Sequence, residues 1–232
     1  MTMTETTQAV WPAGFAMNPR VPGPAPEILN QVRGVPTAMV SDSIGRIRGS
    51  IGLRAYSGDE IMCGVAVTVR VRPGDNLMFH KALEIAQAGD VLVVDAGGEL
   101  SQAIVGGNIR ATMIQKKVAG IVLDGTLRDL TEWAEGGMPA FAKGSNHRGP
   151  SKDGPGEVNV PISCAGMVVK PGDVIIGDPD GVVAIGGDEL EGWLPAIRST
   201  LAREDSVRAM NIAGTADPER FNKILRALGC PV

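Results

Sequence analysis

Residues 106–129 read GGNIRATMIQKKVAGIVLDGTLRD. Gly106-Gly107-Asn108 precedes a helical pattern, and glycines at such a point let backbone N–H groups approach a ligand closely. The helix N-terminus adds partial positive charge, so the amides around Gly106, Gly107, Asn108 and Ile109 form a candidate seat for a carboxylate or phosphate. Val118 to Leu123 is a short apolar run bounded by turn residues, which predicts a buried strand ending at Asp124-Gly125. Arg128-Asp129 follows. Ligands of helix-flanked sheets usually lie beyond the carboxyl ends of strands, and there an Arg beside an Asp offers a carboxylate fork next to a hard-metal ligand.

Upstream, Ile61 to Val71 (IMCGVAVTVRV) has the β-branched content of a strand, with Arg70 and Arg72 alternating outward near its end. After the turn at Pro73-Gly74-Asp75, apolar positions at Leu77, Phe79, Leu83 and Ile85 predict a helix over 76–88 closed by Gly89. Asp90 to Asp95 is again a short buried strand. Strand, helix, strand in this order implies a parallel crossover. The first 24 residues hold Pro12, Pro19, Pro22 and Pro24 and read as an arm ordered only by packing on something else. Two short helices are expected around Gly34-Val35-Pro36.

Downstream, Met138 to Ala142 predicts a strand, and Lys143 to Val158 (KGSNHRGPSKDGPGEV) reads as a long surface loop with no core element. Brief apolar runs at 158–162, 166–170, 174–176 and 182–185, separated by Gly-Asp turns, suggest hairpins or a small barrel-like sheet. Helices are expected over 189–210 and 217–228. The residues alone give a mixed α/β protein with no visible domain boundary.

Of the 232 residues 44% are hydrophobic, 21% charged and only 3% aromatic, with a net charge of -4. That balance suits an acidic globular enzyme. It argues against nucleic acid as a partner, because phosphate binding needs clustered Lys and Arg and base stacking needs aromatics. No run approaches a membrane span and no signal-peptide pattern opens the chain, so a cytoplasmic location is expected. Cys63, Cys164 and Cys230 are odd in number, far apart and in apolar surroundings, which argues against a disulfide framework and disfavours a catalytic thiol. His80 reads as a packed or capping residue on its helix. His147-Arg148 could line a pocket from the long loop, and Asp178 and Asp180 read as turn formers.

Several motifs in order give the chain a resemblance over roughly residues 28–215: Gly89-Asp90-Val91-Leu92-Val93-Val94-Asp95, Gly120-Ile121-Val122-Leu123-Asp124-Gly125 with Arg128-Asp129, Val158-Asn159-Val160-Pro161, and Pro171-Gly172-Asp173 with Gly177-Asp178 and Asp180-Gly181-Val182-Val183. On these it resembles the class II pyruvate aldolases that cleave 4-hydroxy-4-methyl-2-oxoglutarate and 4-carboxy-4-hydroxy-2-oxoadipate. That family also contains the regulator of ribonuclease E activity A. The resemblance implies an α/β/β/α sandwich related to the swivelling β/β/α domain, spanning 25–215 between an arm (1–24) and a helical extension (216–232). It implies trimers or hexamers with sites between subunits. It also implies a divalent cation, Mg²⁺ or Mn²⁺, on Asp129 mostly through water, with Arg128 on the pyruvyl oxygen and the amides near Asn108-Ile109 on the carboxylate. A glutamate from the adjacent subunit takes part, matched here by Glu204. One position departs: the aldolases carry an acid where this chain has Gly107, which leaves Asp124 or Glu204 as substitutes for a proton-accepting group.

The expected activity is metal-assisted lysis of a 2-oxo acid through a pyruvate enolate. The negative charge on the breaking carbon–carbon bond is stabilised by the cation and Arg128. Retro-aldol cleavage needs a base for the substrate hydroxyl, whereas oxaloacetate decarboxylation does not. The non-enzymatic alternative is a regulator that binds an RNase E-type partner. A methyltransferase is disfavoured, because no Gly-rich loop follows a first strand with an acidic ribose partner downstream.

Overall fold

The computed structural model describes residues 11–58 and 61–232; the remaining part of the expected arm, residues 1–10, lies outside them. In chain order the elements are β1 (Phe15–Met17), α1 (Pro26–Leu29), α2 (Thr37–Ser43), β2 (Arg54–Ala55), β3 (Met62–Val71), α3 (Leu77–Ile85), β4 (Asp90–Asp95), β5 (Ala103–Val105), α4 (Gly107–Gln115) and β6 (Gly120–Leu127). There follow α5 (Leu130–Ala134), β7 (Ala140–Ser145), β8 (Gly156–Val158), β9 (Ile162–Cys164), β10 (Met167–Val169), β11 (Val174–Asp178), β12 (Gly181–Ile185), α6 (Leu190–Ala213) and α7 (Arg220–Ala227).

β3, β4, β6 and β7 are adjacent and parallel. Their near-continuous Val, Ile and Leu runs suit strands covered on both faces. Alternation sorts their side chains. Val67, Leu92, Val94, Ile121 and Leu123 pack with Phe79, Met113 and Trp133 beneath α3, α4 and α5. Val91, Val93, Val122 and Phe141 face the opposite way, against Cys164, Met167, Ile175 and Val182. The β11–β12 hairpin continues the sheet by pairing antiparallel with β3. Its outer residues Val174, Ile176, Val183 and Ile185 pack with Val40, Leu190, Leu194 and Ile197 of α2 and α6. Through these three cores the layers run helix, sheet, sheet, helix, which is the expected α/β/β/α arrangement.

Two expectations are corrected, the end of β6 and the freedom of the 143–158 segment, and two features are added, β5 and the anchoring of the arm. β6 does not stop before Asp124-Gly125 but continues to Leu127, because the Asp124 charge is met inside the sheet by Lys143 Nζ at 2.6 Å and the Ala165 amide at 2.8 Å. β5, too short to show a pattern of its own, pairs parallel with β6. The 143–158 segment is not a free loop: β7 runs into it, and it closes with β8, which pairs with β1 and β3. Asp75 fixes its middle by accepting from the Asp153 and Gly154 amides and the Ser151 hydroxyl. The arm is fastened as well, β1 by β8 and Arg20 by a two-pronged hydrogen bond to buried Asp90 (2.7 and 2.6 Å).

Candidate functional site

Two strand-to-helix junctions meet at the site. Because β5 pairs with β6, Ala103 opposite Thr126 and Val105 opposite Leu127, the turns into α4 and α5 leave the sheet together. Arg128 N–H donates to Val105 O at 3.0 Å and ties the second turn to the first. The buried Trp133 indole donates to Arg128 O at 2.8 Å and holds the same turn from α5.

Asp129 flanks α5 with φ 65° and ψ 48°. This left-handed conformation is uncommon for a residue with a side chain, and its cost is a mark of functional turns. It swings the carboxylate back over α4, where Asp129 Oδ2 accepts the Gly107 N–H at 2.8 Å. The negative group thus lies at the positive end of the helix. The two glycines make this possible: a Cβ on Gly106 would stand 2.5 Å from Asp129 Oδ2, and a Cβ on Gly107 would overlap the Glu132 carboxylate.

The Arg128 guanidinium lies beside this carboxylate, Nε 3.7 Å from Asp129 Oδ2, and the side chains are 40% and 42% exposed. Neither points into a packed interior. Gly149 closes against Arg128, leaving 2.8 Å between a would-be Cβ and Nη1, so the 143–158 segment borders the guanidinium. A cavity of about 220 Å³ opens at the pair, its polar lining made of Asn76, His80, Asn108, Arg128, Asp129 and Lys152. Ser145, Asn146 and His147 line a second hollow on the other flank of Arg128 and Asp129.

The seat foreseen for an anion is partly taken by the chain itself. The Gly107 amide serves Asp129, and the Ile109 amide bonds to Gly106 O at 3.0 Å. For the Asn108 amide the described residues supply no acceptor. Asp124 does not join the site; it shares the sheet face of Val122, away from α4, and is neutralised by Lys143. Glu204 lies on α6 in the outer helical layer, paired with Arg203 at 3.2 Å, and does not line the cavity within one chain.

His80, expected as a packed or capping residue, lines the cavity with Asn76 and Lys152, to which no role was given, and Glu132 stands beside it. Asn76 and His80 are four apart and so share a face of α3, and Glu132 falls one turn after Asp129; that spacing was the available signal. Lys152 carried none. Burial, and next the charge of Lys152, lower the His80 pKa below its usual 6.5, so its imidazole is neutral at neutral pH. Among the described residues no three His, Cys, Asp or Glu side chains converge as a metal cage. What Asp129 offers fits only a hard cation that keeps most of its waters, as Mg²⁺ does.

Residues 37–184 match the RraA-like family model described as Aldolase/RraA. The chain belongs to that family. A Halalkalibacterium halodurans protein provisionally named 4-hydroxy-4-methyl-2-oxoglutarate aldolase is 34% identical to this Aldolase/RraA member over 181 residues, 78% of this chain and 86% of its own. A Thermus thermophilus protein named 4-hydroxy-4-methyl-2-oxoglutarate aldolase is 36% identical over 132 residues, covering 57% of this chain and 80% of its own. Among solved structures, Streptomyces coelicolor RraAS2, described as an unusual member of the RNase ES inhibitor RraA family, superposes with a TM-score of 0.73 at 25% identity. The match spans 81% of this chain and 98% of that one.

Proposed function

We propose that this Aldolase/RraA member is a divalent-metal-dependent carbon–carbon lyase acting on 2-oxo acids through a pyruvate enolate. Its reactions are retro-aldol cleavage of the 4-hydroxy-4-methyl-2-oxoglutarate type, decarboxylation of oxaloacetate, or both. The observation that carries the reading is Arg128 beside Asp129 at the N-terminus of α4, half-exposed on one cavity. The aldolase names borne by the relatives agree with it.

In this reading Asp129 holds the cation, Mg²⁺ or Mn²⁺, which supplies Lewis-acid stabilisation of developing enolate charge. Arg128 donates to the same oxygen, and the Asn108 amide receives the substrate carboxylate. Lys152 and His80 shape the far end of the cavity. A trimer or hexamer, in which α6 of one copy brings Glu204 to the cavity of the next, completes the proposal; the mass in solution checks it.

Turnover of both substrates with Mg²⁺ and Mn²⁺, before and after Asp129→Ala, tests the reading. Activity that survives the substitution removes the metal from it. The second reading, a regulator of an RNase E-type partner, draws on the likeness to RraAS2. It is favoured if such a partner is retained in a pull-down and neither 2-oxo acid is consumed.

A further inference from the structure

We infer that Glu132 is the general base of the retro-aldol reaction, the group that takes the proton from the substrate hydroxyl; this rests on the function proposed above. Gly107 is where the two carboxylates of the site meet. Its N–H holds Asp129, and the space where its side chain would stand is filled by the Glu132 carboxylate. One residue of α4 therefore touches both acids. Glu132 lies in the first turn of α5, three residues after Asp129, and is exposed, so the two acids leave neighbouring positions on one helical face.

The other titratable groups near the site have different engagements. Asp129 is bound by the Gly107 amide and faces Arg128. Asp124 is held by Lys143 and the Ala165 amide on the opposite side of the sheet. Glu204 belongs to α6, across the outer core. His80 stands at the Lys152 side of the cavity, on α3 rather than at the α4–α5 junction. Among the described residues Glu132 alone combines exposure, negative charge and contact with the residue that positions Asp129.

In the step, the Glu132 carboxylate accepts the proton of the C4 hydroxyl, and the oxygen's electron pair forms the new C4 carbonyl. The C3–C4 bond breaks, and its pair forms the C2–C3 double bond of the enolate while the C2 carbonyl pair moves onto oxygen. The carboxylic acid of Glu132 then returns its proton to C3, giving two 2-oxo acids and the starting enzyme. Decarboxylation of oxaloacetate yields the same enolate without this proton transfer, so the two reactions separate the role of Glu132 from that of the enolate site.

The experiment compares wild type, Glu132→Gln and Glu132→Asp. It measures kcat for 4-hydroxy-4-methyl-2-oxoglutarate cleavage, kcat for oxaloacetate decarboxylation, and Mn²⁺ affinity from the free-Mn²⁺ resonance. A positioned base contributes about 10²–10⁴-fold. Glu132→Gln is expected to lower cleavage by about 100-fold or more, with decarboxylation and Mn²⁺ affinity within about 3-fold of wild type. Glu132→Asp should recover part of the loss. Equal losses in both reactions, or weakened Mn²⁺ binding, would make Glu132 a cation or structural residue and overturn the inference. Cleavage unaffected by Glu132→Gln also overturns it, as does a wild type that decarboxylates without cleaving, which leaves the proposed enolate site intact. A wild type that does neither overturns both.

Discussion

The Asp129 carboxylate accepts the Gly107 amide proton at 2.8 Å, joining the ends of two strand-to-helix turns that are 22 residues apart in the chain. The bond explains why two glycines open α4 and why a residue with a side chain tolerates a left-handed backbone at 129. It fixes one carboxylate oxygen of a residue that lines the cavity. It is also the feature most exposed to small steric changes.

Gly106→Ala tests that sensitivity. Gly106 has φ -151°, an extended backbone open to any residue, so the effect is steric. The new methyl would stand 2.5 Å from Asp129 Oδ2 and push the carboxylate from its amide. Overpacking of this kind costs about 1–3 kcal/mol, and Mn²⁺ affinity should fall by about 10-fold or more, since about 1.4 kcal/mol is a factor of ten. Titration calorimetry with Mn²⁺ reads it.

Arg20 fastens the arm to a carboxylate that is only 1% exposed. Removing one partner of a buried pair leaves a charge uncompensated, so Arg20→Ala should cost about 3–5 kcal/mol in denaturant unfolding. The paired change Arg20→Met with Asp90→Leu should cost much less. Equal losses in the two variants would show that packing of the arm, not the ion pair, is what matters.

Asp75 organises the 143–158 segment. Burial alone would raise its pKa, but the amides of Asp153, Leu77 and Gly154 and the Ser151 hydroxyl stabilise the charged form and bring it below the usual 3.8. A depressed folded pKa gives stability that is present above the unfolded value and is lost as pH falls through the folded one. Asp75→Asn should therefore destabilise by about 1–3 kcal/mol at neutral pH. The gap from wild type should close as pH drops below 3.8; thermal melts across that range measure it.

Thiol labelling checks the packing independently. Cys63 and Cys164 are buried, and burial raises both thiol pKa values, whereas Cys230 is partly exposed. Iodoacetamide on the native protein should modify Cys230 alone, with the other two reacting only after unfolding. Mass spectrometry of the labelled peptides gives the answer.

The parallel strands, the α3 and α4 helices and the Arg128-Asp129 pair were legible because each follows from a local pattern: apolar runs, helical spacing, glycines before a helix. What was not legible depended on distant partners. Asp124 looked like a strand end because its charge is met by Lys143, 19 residues on, and by Ala165. The 143–158 segment looked unstructured because the groups that order it, Asp75 and β3, lie far upstream. Gly107 read as an amide for a ligand, and its amide instead serves Asp129; only the fold reveals that Glu132 fills the space beside it. His80 and Lys152 join the cavity from separate segments, which no single motif records.

The central claim is that one cation sits on Asp129 beside Arg128 and meets a 2-oxo acid there. Crystals grown with Mn²⁺ and pyruvate, measured for anomalous scattering from manganese, test it most directly. The account predicts a single strong peak within coordination distance of the Asp129 carboxylate, with pyruvate between the metal and the Arg128 guanidinium and its carboxylate on the Asn108 amide. A manganese peak elsewhere, or none at Asp129 under saturating Mn²⁺ and pyruvate, would contradict it.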